Sequence, residues 1–178
     1  MKMYWFVLDT CILKRAFDLQ SPDFSLDCFS LVGIFHSESK LGIALDFEEK
    51  ILGEYRKNLQ NNKAYQKWLN AMYFKKTISY QSGKLDEKVK RKLNELDEKV
   101  KRKLNELGFH EPSDQVFVAV ALHSDKNLVS EDSDYGKGDE VRANSPEKQE
   151  VLKYMTESLG LNVMDSIEGL NFIRQLDT

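Results

Sequence analysis

Residues 4–8 read Tyr-Trp-Phe-Val-Leu and run straight into Asp9, then Thr10 and Cys11. Five bulky residues rich in β-formers, without polar alternation, describe a strand buried on both faces. The Asp that ends it is costly there, because a buried carboxylate must be paired or must ligate a cation. In open parallel α/β sheets, ligands sit at the carboxyl ends of the strands. Asp9 therefore stands where chemistry is usually done. The rest of the chain can be read for carboxylates that meet it.

Strand and helix patterns alternate downstream. Residues 12–17 continue as a short helix, and Ser21-Pro22 reads as an N-cap with Pro at the first helical position. A helix through Leu26, Phe29, Leu31, Val32 and Phe35 follows, then an apolar strand over residues 41–45. Asp46 with Glu49 reads as a capping-box-like start for a helix carrying Phe47, Ile51, Leu52, Tyr55 and Leu59. Tyr65, Trp68, Leu69 and Met72 keep amphipathic helical spacing, and residues 77–80 read as a short edge strand. Pro112-Ser113-Asp114 opens a helix that is apolar nearly all round, hence central. Residues 127–130 are a strand, followed at once by Glu131-Asp132-Ser133-Asp134 and a loop over residues 135–139. Ser145-Pro146 starts a helix closed by Gly160, residues 161–164 form a last strand, and Ser166 caps a final helix. The alternation predicts a three-layer α/β/α sandwich with a mainly parallel central sheet.

One stretch breaks the pattern. Residues 85–95 read LDEKVKRKLNE, and residues 96–106 repeat them without a change. Eleven residues turn a helix through about three turns plus roughly 20°, so an apolar stripe stays in phase across both copies. That stripe is Leu85, Val89, Leu93, Leu96, Val100, Leu104 and Leu107. Pairs such as Asp86–Lys90, Glu87–Arg91, Glu95–Lys99 and Glu98–Arg102 sit at the favourable i, i+4 spacing. The expectation is one long helix ending near Gly108, its charges solvated. Being so charged, it is expected to project as an arm, its stripe available to a second arm in a homodimer. Residues 1–178 thus read as a single domain, with residues 84–108 a charged helical insertion.

Composition narrows the function classes. The 178 residues are 41% apolar, enough for one real core, and the net charge of -3 excludes a globally basic nucleic-acid binder but not a local basic patch. The apolar stretch at residues 3–8 is too short for a signal peptide or a membrane span, so no membrane association is expected. Cys11 and Cys28 suit a reduced cytoplasm, with Cys11 a small packing residue. His36, His110 and His123 share no spacing that suggests zinc or a triad. Gly136-Lys137-Gly138 is too short for a phosphate loop. Lys75-Lys76 and Arg56-Lys57 read as solvated charge.

The acids carry the chemistry. Asp9 ends one strand, and Asp132 and Asp134 follow another. Asp114 lies in the first turn of the apolar helix, where the dipole favours an anion, and Glu54 lies at the edge of an apolar stripe. Of Asp132 and Asp134, Asp132 is nearer the strand end. Such acids, converging, would repel unless protons or divalent cations neutralised them. Oxygen-only ligands suit Mg²⁺ or Mn²⁺, which can activate water toward a phosphodiester. An aspartyl-nucleophile phosphatase needs an acid where Cys11 stands. A receiver domain needs a late strand-end Lys that residues 162–165 do not supply.

Taken in order, Phe6-Val7-Leu8-Asp9-Thr10, Glu54-Tyr55, Ser113-Asp114 before residues 116–122, and Leu128-Val129-Ser130-Glu131-Asp132-Ser133-Asp134 resemble the PIN-domain nucleases. The match of Ser130 and Asp132 to that family's strand, Thr or Ser, any residue, Asp pattern is the most specific part. The resemblance implies a PIN-like fold and a metal-dependent ribonuclease that cuts single-stranded nucleic acid, RNA before DNA, with Mg²⁺ or Mn²⁺. It implies Asp9, Glu54, Asp114 and Asp132 as catalytic acids, Asp9, Asp114, Asp132 and Asp134 as metal ligands, and Thr10 and Ser130 as supporting hydroxyls. A toxin–antitoxin role with a protein inhibitor comes with the same family, whose compact toxins are shorter than this chain. The rival expectation is a non-catalytic PIN-like scaffold that binds nucleic acid or protein.

Overall fold

The computed structural model describes residues 2–85, 94–138 and 140–176. Strand β1 (Tyr4–Leu8) is its centre, with Phe6, Val7 and Leu8 shut off from solvent. β2 (Leu41–Asp46), β3 (Ile78–Gln81), β4 (Asn127–Val129) and β5 (Asn162–Met164) join it in one five-stranded sheet, every neighbouring pair parallel. Parallel neighbours need crossovers. These are α1 (Thr10–Phe17) and α2 (Leu26–Ser37), then α3 (Lys50–Leu59) and α4 (Lys63–Phe74). Next come α5 (Asn94–Glu106) and α6 (Pro112–Leu122), then α7 (Glu140–Ala143) and α8 (Pro146–Lys153), with α9 (Ser166–Gln175) closing the chain.

The strand order is β3-β2-β1-β4-β5. The chain builds outward from β1 to one edge, then returns to the other side of β1. The order reverses between β1 and β4, and at such a reversal the carboxyl ends of the two strands flank a crevice. Phe6 meets Phe35 of α2 and Phe172 of α9 edge-on, with ring centroids 5.2 and 6.1 Å apart. α6 packs along β1, β2 and β4, and its Phe117 meets Tyr55 of α3. The architecture is α/β with a parallel sheet, consistent with a three-layer sandwich. Among the described residues, no helix is long and apolar enough to cross a membrane.

Several helix starts differ from the sequence expectation, each for a tertiary reason. Ser21-Pro22 forms a turn, with Ser21 Oγ accepting from the Asp23 N–H at 3.2 Å; α2 starts four residues later under Ser25, whose Oγ accepts from the Cys28 N–H. The Asp46/Glu49 capping box does not form. Asp46 is fully buried and accepts from the N–H groups of Lys50 and Ile51, both at 2.8 Å, while Glu49 turns through a positive φ of 57°. Phe47 consequently sits outside the helix and is 68% exposed. The last helix is capped by Asp165 in a capping box with Glu168, and Ser166 instead donates to Glu131 Oε1 at 2.5 Å.

The repeat also departs from expectation. In its second copy Val100 and Leu104 are buried at 2% and 0% exposure. The Asn105 side chain accepts at 2.7 Å from Gln115 Nε2 of α6. This copy lies against the body, so a freely projecting arm is ruled out for it: a Val and a Leu four residues apart cover core surface. The helix ends as Gly108 takes φ 81° and the Phe109 N–H bonds the Leu104 carbonyl. Val89, Leu93 and the pairs Asp86–Lys90 and Glu87–Arg91 lie outside the described residues.

Candidate active site

The register of β1 on β4 pairs Leu8 with Val129, and the Asp9 N–H continues the ladder to the Val129 carbonyl at 2.9 Å. The residues just past each strand are therefore neighbours. Ser130, fully buried, joins them: its Oγ donates to Asp9 Oδ2 at 2.6 Å and accepts from the Asp132 N–H at 2.9 Å. Asp132 then folds the chain by accepting from the Asp134 N–H at 2.8 Å, which starts a short 3₁₀ turn. Gly138, at φ 77°, packs so tightly on the Glu131 backbone that a Cβ would stand 1.8 Å from its carbonyl oxygen. The loop behind Asp132 is thus fixed by a glycine.

Asp114 enters from the first turn of α6, and the Tyr135 hydroxyl donates to its carbonyl at 3.2 Å. Burial lifts the Asp114 carboxyl from 3.8 to about 7, and the charges of Asp9, Asp132, Asp134 and Glu54 push the same way. Burial also lifts Asp9, to about 6, against the hydrogen bonds from Ser130 and Cys11; Asp132 and Glu54 add to the rise. The other four acids singled out in the sequence are therefore all within electrostatic reach of Asp114. They are not equivalent. Asp134 is held by the Lys148 ammonium, and Glu54 faces a cavity of about 270 Å³ shared with Lys50 and Ser113. Among the described residues, no three His, Cys, Asp or Glu side chains stand close enough to hold one ion together.

Three contributors escaped the sequence reading. Cys11 is half-buried rather than mere packing: its thiol donates to Asp9 Oδ2 and its sulfur accepts from the Glu131 N–H, both at 3.2 Å. Burial first, then the Asp9 charge, raises that thiol well above its usual range, so it stays protonated. Lys148 and Tyr135 come from elements with no local mark of a site. Thr10 is buried one residue past Asp9, and among the described residues its hydroxyl has no hydrogen-bond partner. Cys11 and Cys28 are both free thiols.

The crowding sets a pH dependence. Unfolded, both carboxyls titrate near 3.8; folded, near 6 and 7. Between those values the folded chain holds protons the unfolded chain has lost, so stability falls as pH rises through that window. For Asp9 alone the loss is on the order of 3 kcal/mol. In a chelating buffer the melting temperature is expected to be higher at pH 5 than at pH 8. A profile rising over that range would contradict the crowding.

No family model, no curated protein and no solved structure matches this chain.

Proposed function

We propose that the protein is a divalent-metal-dependent nuclease of the PIN type, acting on single-stranded nucleic acid, RNA by preference. The observation that carries the reading is the Ser130 bridge, which ties Asp9 to Asp132 at the point where the strand order reverses. The donor set fits Mg²⁺ or Mn²⁺ chemically: carboxylate oxygens and hydroxyls, with the unpartnered Thr10 hydroxyl beside them. Since no three acids share one ion position among the described residues, Asp9, Asp114 and Asp132 would have to close around it, directly or through bridging waters, and Asp134 would first have to leave Lys148. When bound, the ion supplies an acidified water and offsets charge on the leaving oxygen.

The chain's own groups do the rest. Ser130 fixes the Asp9 carboxylate by donating to Oδ2. The Cys11 thiol, kept protonated, donates to the same Oδ2 and adds no negative charge. Asp114, half-protonated near pH 7 without an ion, would give up that proton when an ion binds, so binding should strengthen as pH rises. Glu54, on the cavity wall, would orient the attacking water.

The test is cleavage of single-stranded RNA and DNA by purified protein with Mn²⁺, Mg²⁺ or chelator. Products with a 5′-phosphate and 3′-hydroxyl are expected, only with metal, together with a rise in melting temperature on adding Mn²⁺ at pH 8. Binding without cleavage under every condition would select the non-catalytic scaffold instead.

A further inference from the structure

We infer that Lys148 is a built-in counter-ion of the acidic site: its ammonium holds Asp134 in place of a divalent ion, and so limits how tightly Mn²⁺ or Mg²⁺ binds. The inference rests on the reading of these acids as a metal site and concerns the control of that site.

Lys148 stands where its own helix does not favour it. It lies in the first turn of α8, where the dipole stabilises an anion and opposes a cation. The compensation comes from another element: the Lys148 ammonium donates to Asp134 Oδ1. The pair is partly sheltered, with the lysine side chain 26% exposed. Its two halves are also held in place. Ser145 caps α8 by accepting from the Lys148 N–H at 3.4 Å. Gly136, at φ 73°, ends the 3₁₀ turn that carries Asp134, and a Cβ there would stand 3.0 Å from both the Lys148 carbonyl and Leu152 Cβ. The missing side chain lets turn and helix touch, and that contact brings ammonium and carboxylate together.

Asp134 belongs to the acidic crowd. Its charge, with those of Asp9, Asp132 and Glu54, helps to lift the Asp114 carboxyl. Its backbone is fixed as well, through the N–H given to Asp132 Oδ1. Among the described residues, Lys148 is the one cation paired with any of these five acids. Two other nearby cations answer acids outside the group: Lys137 donates to Glu168 at 2.6 Å, and Arg15 lies 3.6 Å from Glu131. A divalent ion that recruits Asp134 must break the lysine bond and leave an ammonium beside a second cation. An ion that does not recruit it is held by one carboxylate fewer. Either way Lys148 weakens binding, and meanwhile it offsets part of the repulsion in the empty site. An ordinary surface pair would leave metal affinity alone and be felt only in stability.

The experiment is Mn²⁺ titration of the full chain at neutral pH, following free Mn²⁺ by its electron paramagnetic resonance signal. Lys148→Met keeps the length of the side chain and removes its charge. It should bind Mn²⁺ about tenfold tighter, the size of one unit charge acting on a divalent ion a few ångströms away in a wet site. Lys148→Arg keeps the charge and should match wild type. Asp134→Asn removes the carboxylate through which Lys148 acts, so adding Lys148→Met to it should change the affinity little. If Lys148→Met melts early in chelator, Lys148→Gln carries the same test. Equal affinity in wild type and Lys148→Met overturns the counter-ion and leaves the metal site standing. Weaker binding by Lys148→Met overturns it too, and makes Lys148 a support of the site. A gain that persists in full in the Asp134→Asn background overturns the route through Asp134. Binding by Lys148→Met but not by wild type supports the counter-ion and the metal site together. No Mn²⁺ binding by wild type or by any Lys148 variant removes the metal reading, and the counter-ion with it.

Discussion

Asp9→Asn is expected to lower metal-dependent cleavage by roughly 10²–10³-fold, the cost of several kcal/mol of lost charge stabilisation, while leaving the chain folded. The amide is isosteric, so its oxygen still accepts from Ser130 Oγ and the Cys11 thiol, and the bridge to Asp132 survives. What disappears is one negative charge in a crowd. Burial holds the Asp9 carboxyl near 6, and its charge helps to lift Asp114. The variant should therefore melt higher than wild type at pH 8 in chelator, lose most of that advantage at pH 5, and gain less from Mn²⁺. Activity and stability move in opposite directions, which a merely structural Asp9 would not produce. A variant that keeps full turnover removes Asp9 from the chemistry. One that melts lower at pH 8 removes the electrostatic account of the site.

The parts of this site that sequence makes legible are those set by unbroken local pattern. Residues 4–8 and 116–122 are apolar without interruption, and nothing else in the chain could bury them; β1 and α6 follow, and with them the ends that carry Asp9 and Asp114. The bridge through Ser130 was reachable only through the family pattern. It needs β1 and β4 to be neighbours, and that adjacency is a property of the strand order. Cys11 shows the same limit. Its neighbours in sequence say packing, whereas its hydrogen-bond partners, Asp9 and the Glu131 N–H, include one 120 positions away. Helix starts misled for a different reason. Ser21 and Ser25, or Asp165 and Ser166, satisfy the same capping rule, and the choice falls to whichever neighbour the tertiary contacts leave available; Ser166 is taken by Glu131. Likewise Asp46 caps α3 across a turn because β2 carries it into the interior, beyond the reach of a box drawn from spacing alone.

Leu104→Ala is expected to destabilise the chain by about 2–5 kcal/mol, the range for a large side chain removed from a closed core. Leu104 has no exposure, sits one turn from buried Val100, and precedes Asn105, whose side chain accepts from Gln115 of α6. The repeat supplies an internal control that few proteins offer. Leu93 occupies the same place in the first copy, preceded by the same eight residues and followed by the same three. The immediate sequence is therefore matched, so Leu93→Ala is the reference against which Leu104→Ala is read. Deleting a copy cannot make that distinction. Removing residues 85–95 or residues 96–106 yields one and the same polypeptide, in which the surviving Val and Leu keep their spacing to Leu107. Point substitutions are the informative probe, read by denaturant midpoint with the slope checked for constancy. A loss under about 0.5 kcal/mol at Leu104, the size of an ordinary surface change, would mean that α5 is not seated in the core.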